Sequence, residues 1–190
     1  MTAIYDRIWQ LALPFLQTRH NEAHTAIALA LARRLLRLEG GQAKIVIPAV
    51  MLHDVGWHTV PEDLQMSAFG PKATAPELNR QHEEEGVRIA GKILRQVGYP
   101  AAARQEILAI IDGHDSRLEA VSRNDMIVKD ADRLWRYTRT GLRIDIERFG
   151  ETYQEGLARL RTHVDRWLYT ETARKLAVEK IRRRQAEEDA

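Results

Sequence analysis

The chain has 190 residues, with 29 Lys and Arg against 27 Asp and Glu, and no cysteine. Without cysteine there are no disulfides, thiolate metal sites or cysteine nucleophiles, so any metal must be held by His, carboxylate, carbonyl or water. Bases and acids interleave, which argues against a dedicated nucleic-acid surface, and no window offers the roughly 20 uncharged residues of a membrane span. One soluble, cytoplasmic domain covering residues 1–190 is expected.

From Glu22 to Glu39 the apolar residues Ile27, Leu31, Leu35 and Leu38 recur at steps of three and four, and Gly40-Gly41 supplies a stop, so an amphipathic helix is predicted. His24 stands three residues before Ile27 and seven before Leu31, on the inward face. Ala43 to Leu52 is apolar almost all round, as a central buried helix would be, with Pro48 expected to kink it or delay its start. It runs into His53 and Asp54, and Gly56 is read as its end. Burying this pair costs several kcal/mol unless it is partnered or bound to metal. Residues 59–78, TVPEDLQMSAFGPKATAPEL, form one long irregular loop of the kind that serves as a lid.

Further helical patterns run from about Asn79 to Val97, Ala101 to Gly113 and Asn124 to Tyr137. His82 leads Gly86, Ile89 and Ile93 on an inward face, His114 follows Ile107, Ile110 and Ile111, and Asp130 lies between Ile127 and Leu134. Asp130 and Asp132 stand about 200° apart around a helix, so both do not easily face one ion. Asp130 shares the apolar face and is the expected one, with Asp132 as a supporting group or salt-bridge partner. Asp115 follows His114, where it can hydrogen-bond a metal-bound water, or serve only as a helix cap or a partner of Arg117. Residues 151–188 read as C-terminal helices with a break near Tyr169. Their basic stretch RKLAVEKIRRRQAEEDA carries no interleaved aromatics and is read as a solvated helix face. The expected architecture is all-α, a helical bundle with one long loop. Imidazoles and carboxylates converging from separate helices of a cysteine-free core suit a divalent cation of the Mn, Fe, Co, Ni or Zn kind.

The order His24, then His53-Asp54, then Asp130 resembles the H…HD…D signature of the HD-domain metal-dependent phosphohydrolase superfamily, in its small single-domain bacterial form. AVMLHDVGW looks like that family's "ALLHDIG" helix end, and IVKDADRLW resembles its "VxDADxL" helix. The match spans roughly Arg19 to Trp135. The resemblance implies the HD-type all-α fold, with His24, His53, Asp54 and Asp130 as metal ligands and His82 and His114 available to a second metal or a substrate phosphate. It implies hydrolysis of a phosphate ester or anhydride on a small, nucleotide-like molecule, using one of these ions or Mg. Asp54 would orient the water, and His114 or Asp115 would move a proton or contact the phosphate. Lys72, Arg117, Lys129 and Arg133 are the expected cations around the phosphate. Trp57, Trp135 and Tyr137 are expected to be core. The continuation HDVGWHT departs from the "HDxxED" of guanosine tetraphosphate hydrolases. Two other readings fit the same residues: a di-iron HD-type oxygenase using the pattern H…HD…H…H…D, and a non-catalytic regulator or binding module that keeps the ion for folding.

Overall fold

The computed structural model describes residues 3–70 and 73–188. In chain order the helices are α1 (Ala3–Ala12), α2 (Asn21–Glu39), α3 (Ala43–Leu52), α4 (Glu62–Gln65), α5 (Glu77–Gln96), α6 (Ala101–Ile111), α7 (Arg123–Leu134), α8 (Arg139–Phe149), α9 (Tyr153–Trp167) and α10 (Glu171–Glu188). Among the described residues there is no strand, and no helix is long and apolar enough to cross a membrane. The fold is all-α. The C-terminal break falls at residues 168–170, around Tyr169, where it is expected. Helices α1, α4 and α8 are additions to the elements read from periodicity, α4 falling inside the stretch expected to be a loop.

α3 is the centre of the bundle. Every residue from Ile45 to Leu52 is buried, because α1, α2, α6 and α7 all pack on it. Pro48 does not delay its start: the helix begins at Ala43 and carries the proline inside. Proline has no N–H for the carbonyl four residues back, which here belongs to Lys44. Tyr99 supplies the missing donor, its hydroxyl lying 2.6 Å from the Lys44 carbonyl oxygen. A partly buried carbonyl that the proline leaves without its helical donor is thereby satisfied. α2 buries His24, Ala28, Leu31, Ala32 and Leu35, and its last turn runs past the core, leaving Leu38 60% exposed.

α3 ends at Leu52, before Gly56. Gly56 is needed for a different reason: it sits in the short 3₁₀ turn Val55–Thr59, where a Cβ would lie 1.8 Å from the carbonyl oxygen of His82. The missing side chain lets this turn lie directly on α5, bringing His82 beside the His53-Asp54 pair. The described parts of the 59–78 segment pack on the bundle. Trp57, Val60 and Ala68 make a small apolar cluster with Phe69 and Leu78, and Gln65 Nε2 donates to the carbonyls of Trp57 and Val60 at 3.2 and 2.8 Å. Lys72 lies outside the described residues.

Candidate metal centre

Two histidines arrive already oriented. His53 Nδ1–H donates to the Val50 carbonyl oxygen at 2.8 Å and His114 Nδ1–H to that of Ile111 at 2.9 Å. A carbonyl only accepts, so the proton sits on Nδ1 and the Nε2 lone pair is aimed inward, as a metal-binding imidazole requires. His24 Nε2 lies 2.9 Å from His53 Nε2, and His82 Nε2 lies 3.3 Å from His114 Nε2. Trp57 stacks on His82, and Trp135 packs edge-on against His24, so aromatic walls fix both rings.

Carboxylates fill the spaces between these rings. Asp54 Oδ2 is 3.4 Å from His24 Nε2, and its Oδ1 is 3.6 Å from both His53 and His114 Nε2. Asp132 Oδ1 is 3.2 Å from His24 Nε2 and 3.5 Å from His53 Nε2. Asp115 Oδ2 closes the far side, 3.7 Å from His82 and 3.9 Å from His114. Three overlapping groups result: His24, His53 and Asp132; His53, Asp54 and His114; His82, His114 and Asp115. Within each group the potential ligand atoms lie within 4.8 Å of one another.

The electrostatics of this cluster favour a positive charge. Burial alone would raise the pKa of Asp54, but His53, His114 and His24 outweigh it and hold the carboxyl well below its usual range. Asp132 is likewise held well below, burial being overcome by hydrogen bonds from His24 and His53. Burial pulls His114 down, yet Asp115 and Asp54 raise it to about 10. His82, where burial and His114 dominate, falls to about 4. Two buried carboxylates set among these rings call for positive charge at the centre, which a bound cation would supply. The donor set of imidazole nitrogen and carboxylate oxygen suits a divalent first-row metal.

Asp130 is not part of this cluster, and its assignment as a ligand is corrected. Its carboxylate accepts from the Tyr169 N–H at 2.7 Å, the Thr170 N–H at 2.9 Å and the Thr170 hydroxyl at 2.7 Å, tying the break before α10 onto α7. α7 packs on α2 and α3 at one side and on α10 at another, so it is buried nearly all round and its apolar stripe points to no single target. Asp132 sits at the edge of the buried face, where the cluster meets solvent, and it rather than Asp130 brings a carboxylate oxygen to His24 and His53.

The expected phosphate cations are also corrected. Lys129 is fully buried, and its ammonium donates to the carbonyls of Gly113, His114 and Arg117 at 2.7, 2.7 and 2.9 Å. It holds the turn that carries His114. Arg117 pairs with Asp125 at 3.0 Å and the Asp112 carbonyl at 2.7 Å, Arg133 with the Trp167 carbonyl, and neither lines the cavity over the cluster.

Other cations surround the site. A cavity of about 130 Å³ opens over His24, Asp54, Asp115 and Asp132, and Arg19, Arg136 and Arg148 line it. Arg19 stands out for its backbone as well: it and His20 have φ of 55° and 59°, left-handed values that cost non-glycine residues about 1–3 kcal/mol each. The guanidinium of Arg19 lies 3.8 Å from the ring centroid of Trp57 and 4.2 Å from that of Phe69. Its Nε and Nη1 are buried without a hydrogen-bond partner, and burial lowers its pKa to about 9 against the opposing pull of Asp54. Asn21 Nδ2 and Trp135 Nε1, from two more residues that line the cavity, are also buried donors without partners. Asp145 on α8 fixes the other two arginines: its carboxylate is 2.9 Å from Arg136 and 4.0 Å from Arg148. None of these donors has a periodic signal in sequence, because they reach the cavity from a strained turn, the first residue of α2, a 3₁₀ turn and a short charged helix.

The fold and the site together define a class: an α-helical bundle in which an HD dipeptide after the central helix meets histidines and an aspartate from neighbouring helices to form a centre able to hold a metal. The HD domain family model matches residues 21–137, and the chain belongs to that family. HD domains bind divalent metals. No curated protein and no solved structure matches the chain.

Proposed function

We propose that the chain is a divalent-metal-dependent phosphohydrolase that cleaves a phosphate ester or anhydride of a small, nucleotide-like molecule. The observation that carries this reading is the cavity itself, which sets a carboxylate and imidazole floor beneath a wall of unpaired donors and arginines. His24, His53, Asp54 and Asp132 would hold the ion, with His82, His114 and Asp115 as a second group. When bound, a divalent ion lowers the pKa of a coordinated water toward neutrality and polarises a phosphoryl oxygen.

The chain's own residues account for the rest. Arg19, Arg136 and Arg148 bind the phosphate and offset the charge that develops on it, which in a site shielded from water counts for more than on an open surface. Asn21 and Trp135 add neutral N–H groups to the same oxygens. Asp115, 38% exposed by its side chain, stands at the rim and exchanges a proton with solvent. Trp57 and Phe69 screen the site from bulk water.

The test begins with the metal content of the purified protein by inductively coupled plasma mass spectrometry, wild type beside Asp54→Ala. About one Mn, Co, Ni or Zn per chain, lost in the variant, followed by phosphate release that Arg19→Ala reduces by about 10²-fold, supports the reading. Two irons per chain with dioxygen uptake on turnover moves the site to the oxygenase reading, for which the group His82, His114 and Asp115 would supply the second iron position. Bound metal with no turnover of any phosphate compound assigns the chain as a binding module.

A further inference from the structure

At about 130 Å³, the cavity over the metal centre accepts a phosphate and little else, far below the roughly 300 Å³ at which pockets begin to enclose a drug-sized molecule. The rest of a substrate must lie beyond its walls. Phe69 is a wall that borders further space on two sides. On one side of it a second cavity of about 490 Å³ runs between the Phe69–Gly70 segment, α8 and α9, walled by Phe149 and Trp167. It shares both Phe69 and Arg136 with the cavity over the metal centre. On the other side a cavity of about 460 Å³ shares Phe69 and Arg148 but carries Glu151 and Glu155.

Charge separates the two cavities beside Phe69. The second cavity is lined by Arg136, Arg159, Arg166 and His163, with no carboxylate among its lining residues. Asp145 is shared between Arg136 and Arg159, and Glu151 holds Arg159 at 2.8 Å, so these two guanidiniums are fixed and partly neutralised. Arg166 is exposed and has no ion pair among the described residues. The guanidinium of Arg136 lies between the rings of Trp135 and Trp167, 5.6 and 6.0 Å from their centroids, at the passage from one cavity to the other. Arginines with planar donor forks, one of them uncommitted, in a concavity with aromatic walls form an anion-binding surface.

We infer that the cavity between α8 and α9 is a substrate subsite for a second anionic group, with Arg136 bridging the two anions and Arg166 closing on the distal one. The substrate class follows: a molecule carrying a phosphate and a second phosphate or carboxylate, joined by a spacer that passes Phe69. This rests on the phosphohydrolase reading for the first anion.

Isothermal titration of the metal-loaded protein with phosphonates, whose P–C bond this hydrolysis leaves intact, tests both points. The probes are butylphosphonate, butane-1,4-diyl bisphosphonate and hexane-1,6-diyl bisphosphonate, the two spacers acting as rulers. One bisphosphonate is expected to bind at least about tenfold tighter than butylphosphonate, the scale of one charge-assisted hydrogen bond. Arg166→Glu is expected to abolish that gain and leave butylphosphonate binding unchanged, whereas Arg19→Ala weakens all three probes. Bisphosphonates that bind no tighter than butylphosphonate, or a gain that survives Arg166→Glu, overturn the subsite while leaving the phosphohydrolase reading standing. Failure of butylphosphonate to bind in an Arg19-dependent way overturns that reading, and the subsite with it.

Discussion

Asp130 and Asp132 stand two residues apart on α7 and do unrelated work, and a pair of substitutions separates them. Asp132→Ala removes an oxygen that faces both His24 and His53, so metal content is expected to fall to background while folding survives. Asp130→Ala leaves the metal in place but strips the acceptor from two N–H groups and a hydroxyl at the break before α10. Its cost is about 2–3 kcal/mol, a Tm decrease of roughly 5–10 °C by differential scanning calorimetry. His24, His82 and His114, with Asp115 beside the last, could be read from spacing because each lies on or just after an amphipathic helix with one clear inward face, and His53-Asp54 because a polar pair ends an apolar run. Asp132 could not, since α7 is enclosed from several sides and its ligand leaves from the edge of the buried face. Arg19 was hidden for another reason: a left-handed backbone and an aromatic sandwich, neither of which a periodic pattern encodes, deliver it to the cavity.

At the scale of elements, α3 depends on a side chain from outside itself. Tyr99→Phe removes the donor to the Lys44 carbonyl and is expected to destabilise the fold by about 1–2 kcal/mol in urea unfolding. Pro48→Ala restores an N–H that can reach the same carbonyl, so in that background the Tyr99→Phe cost is expected to shrink by about 1 kcal/mol, a coupling that a double-mutant cycle reads directly. Equal costs in both backgrounds would disprove the link. Gly56→Ala tests the contact between the Val55–Thr59 turn and α5. A methyl group aimed at the His82 carbonyl forces the two apart, with an expected loss of about 2–3 kcal/mol and weaker binding at the His82, His114 and Asp115 group. Most helices were legible to within a few residues. α8 was not, because its inward face carries Asp145, a charged residue buried against arginines, where periodicity looks for an apolar one.

For the whole molecule, the metal centre draws on α2, α7, the turns after α3 and α6, and α5, so whatever binds there stitches the bundle together. An ion that binds only the folded chain stabilises it by mass action, by roughly 2.7 kcal/mol at a free concentration one hundred times Kd. Chelation is therefore expected to lower Tm by about 5–10 °C in calorimetry, and the shift should vanish in Asp132→Ala. A chelator-insensitive wild-type Tm, with metal demonstrably removed, would show that the helices hold their places unaided. Asp145 extends the coupling to the C-terminal half: Asp145→Asn takes the counter-charge from Arg136, Arg148 and Arg159 together, an expected cost of about 3–5 kcal/mol.

The boundary of the family match at residue 137 has a consequence of its own. Every histidine and aspartate of the metal centre falls inside it, while Arg19, Asp145, Arg148, Arg159 and Arg166 fall outside. On the proposed reading the metal ligands therefore lie in the matched stretch and most of the anion-binding arginines in the flanks, with Arg136 at the join. Substitutions in the flanks would then alter which anion is held without touching the ligands.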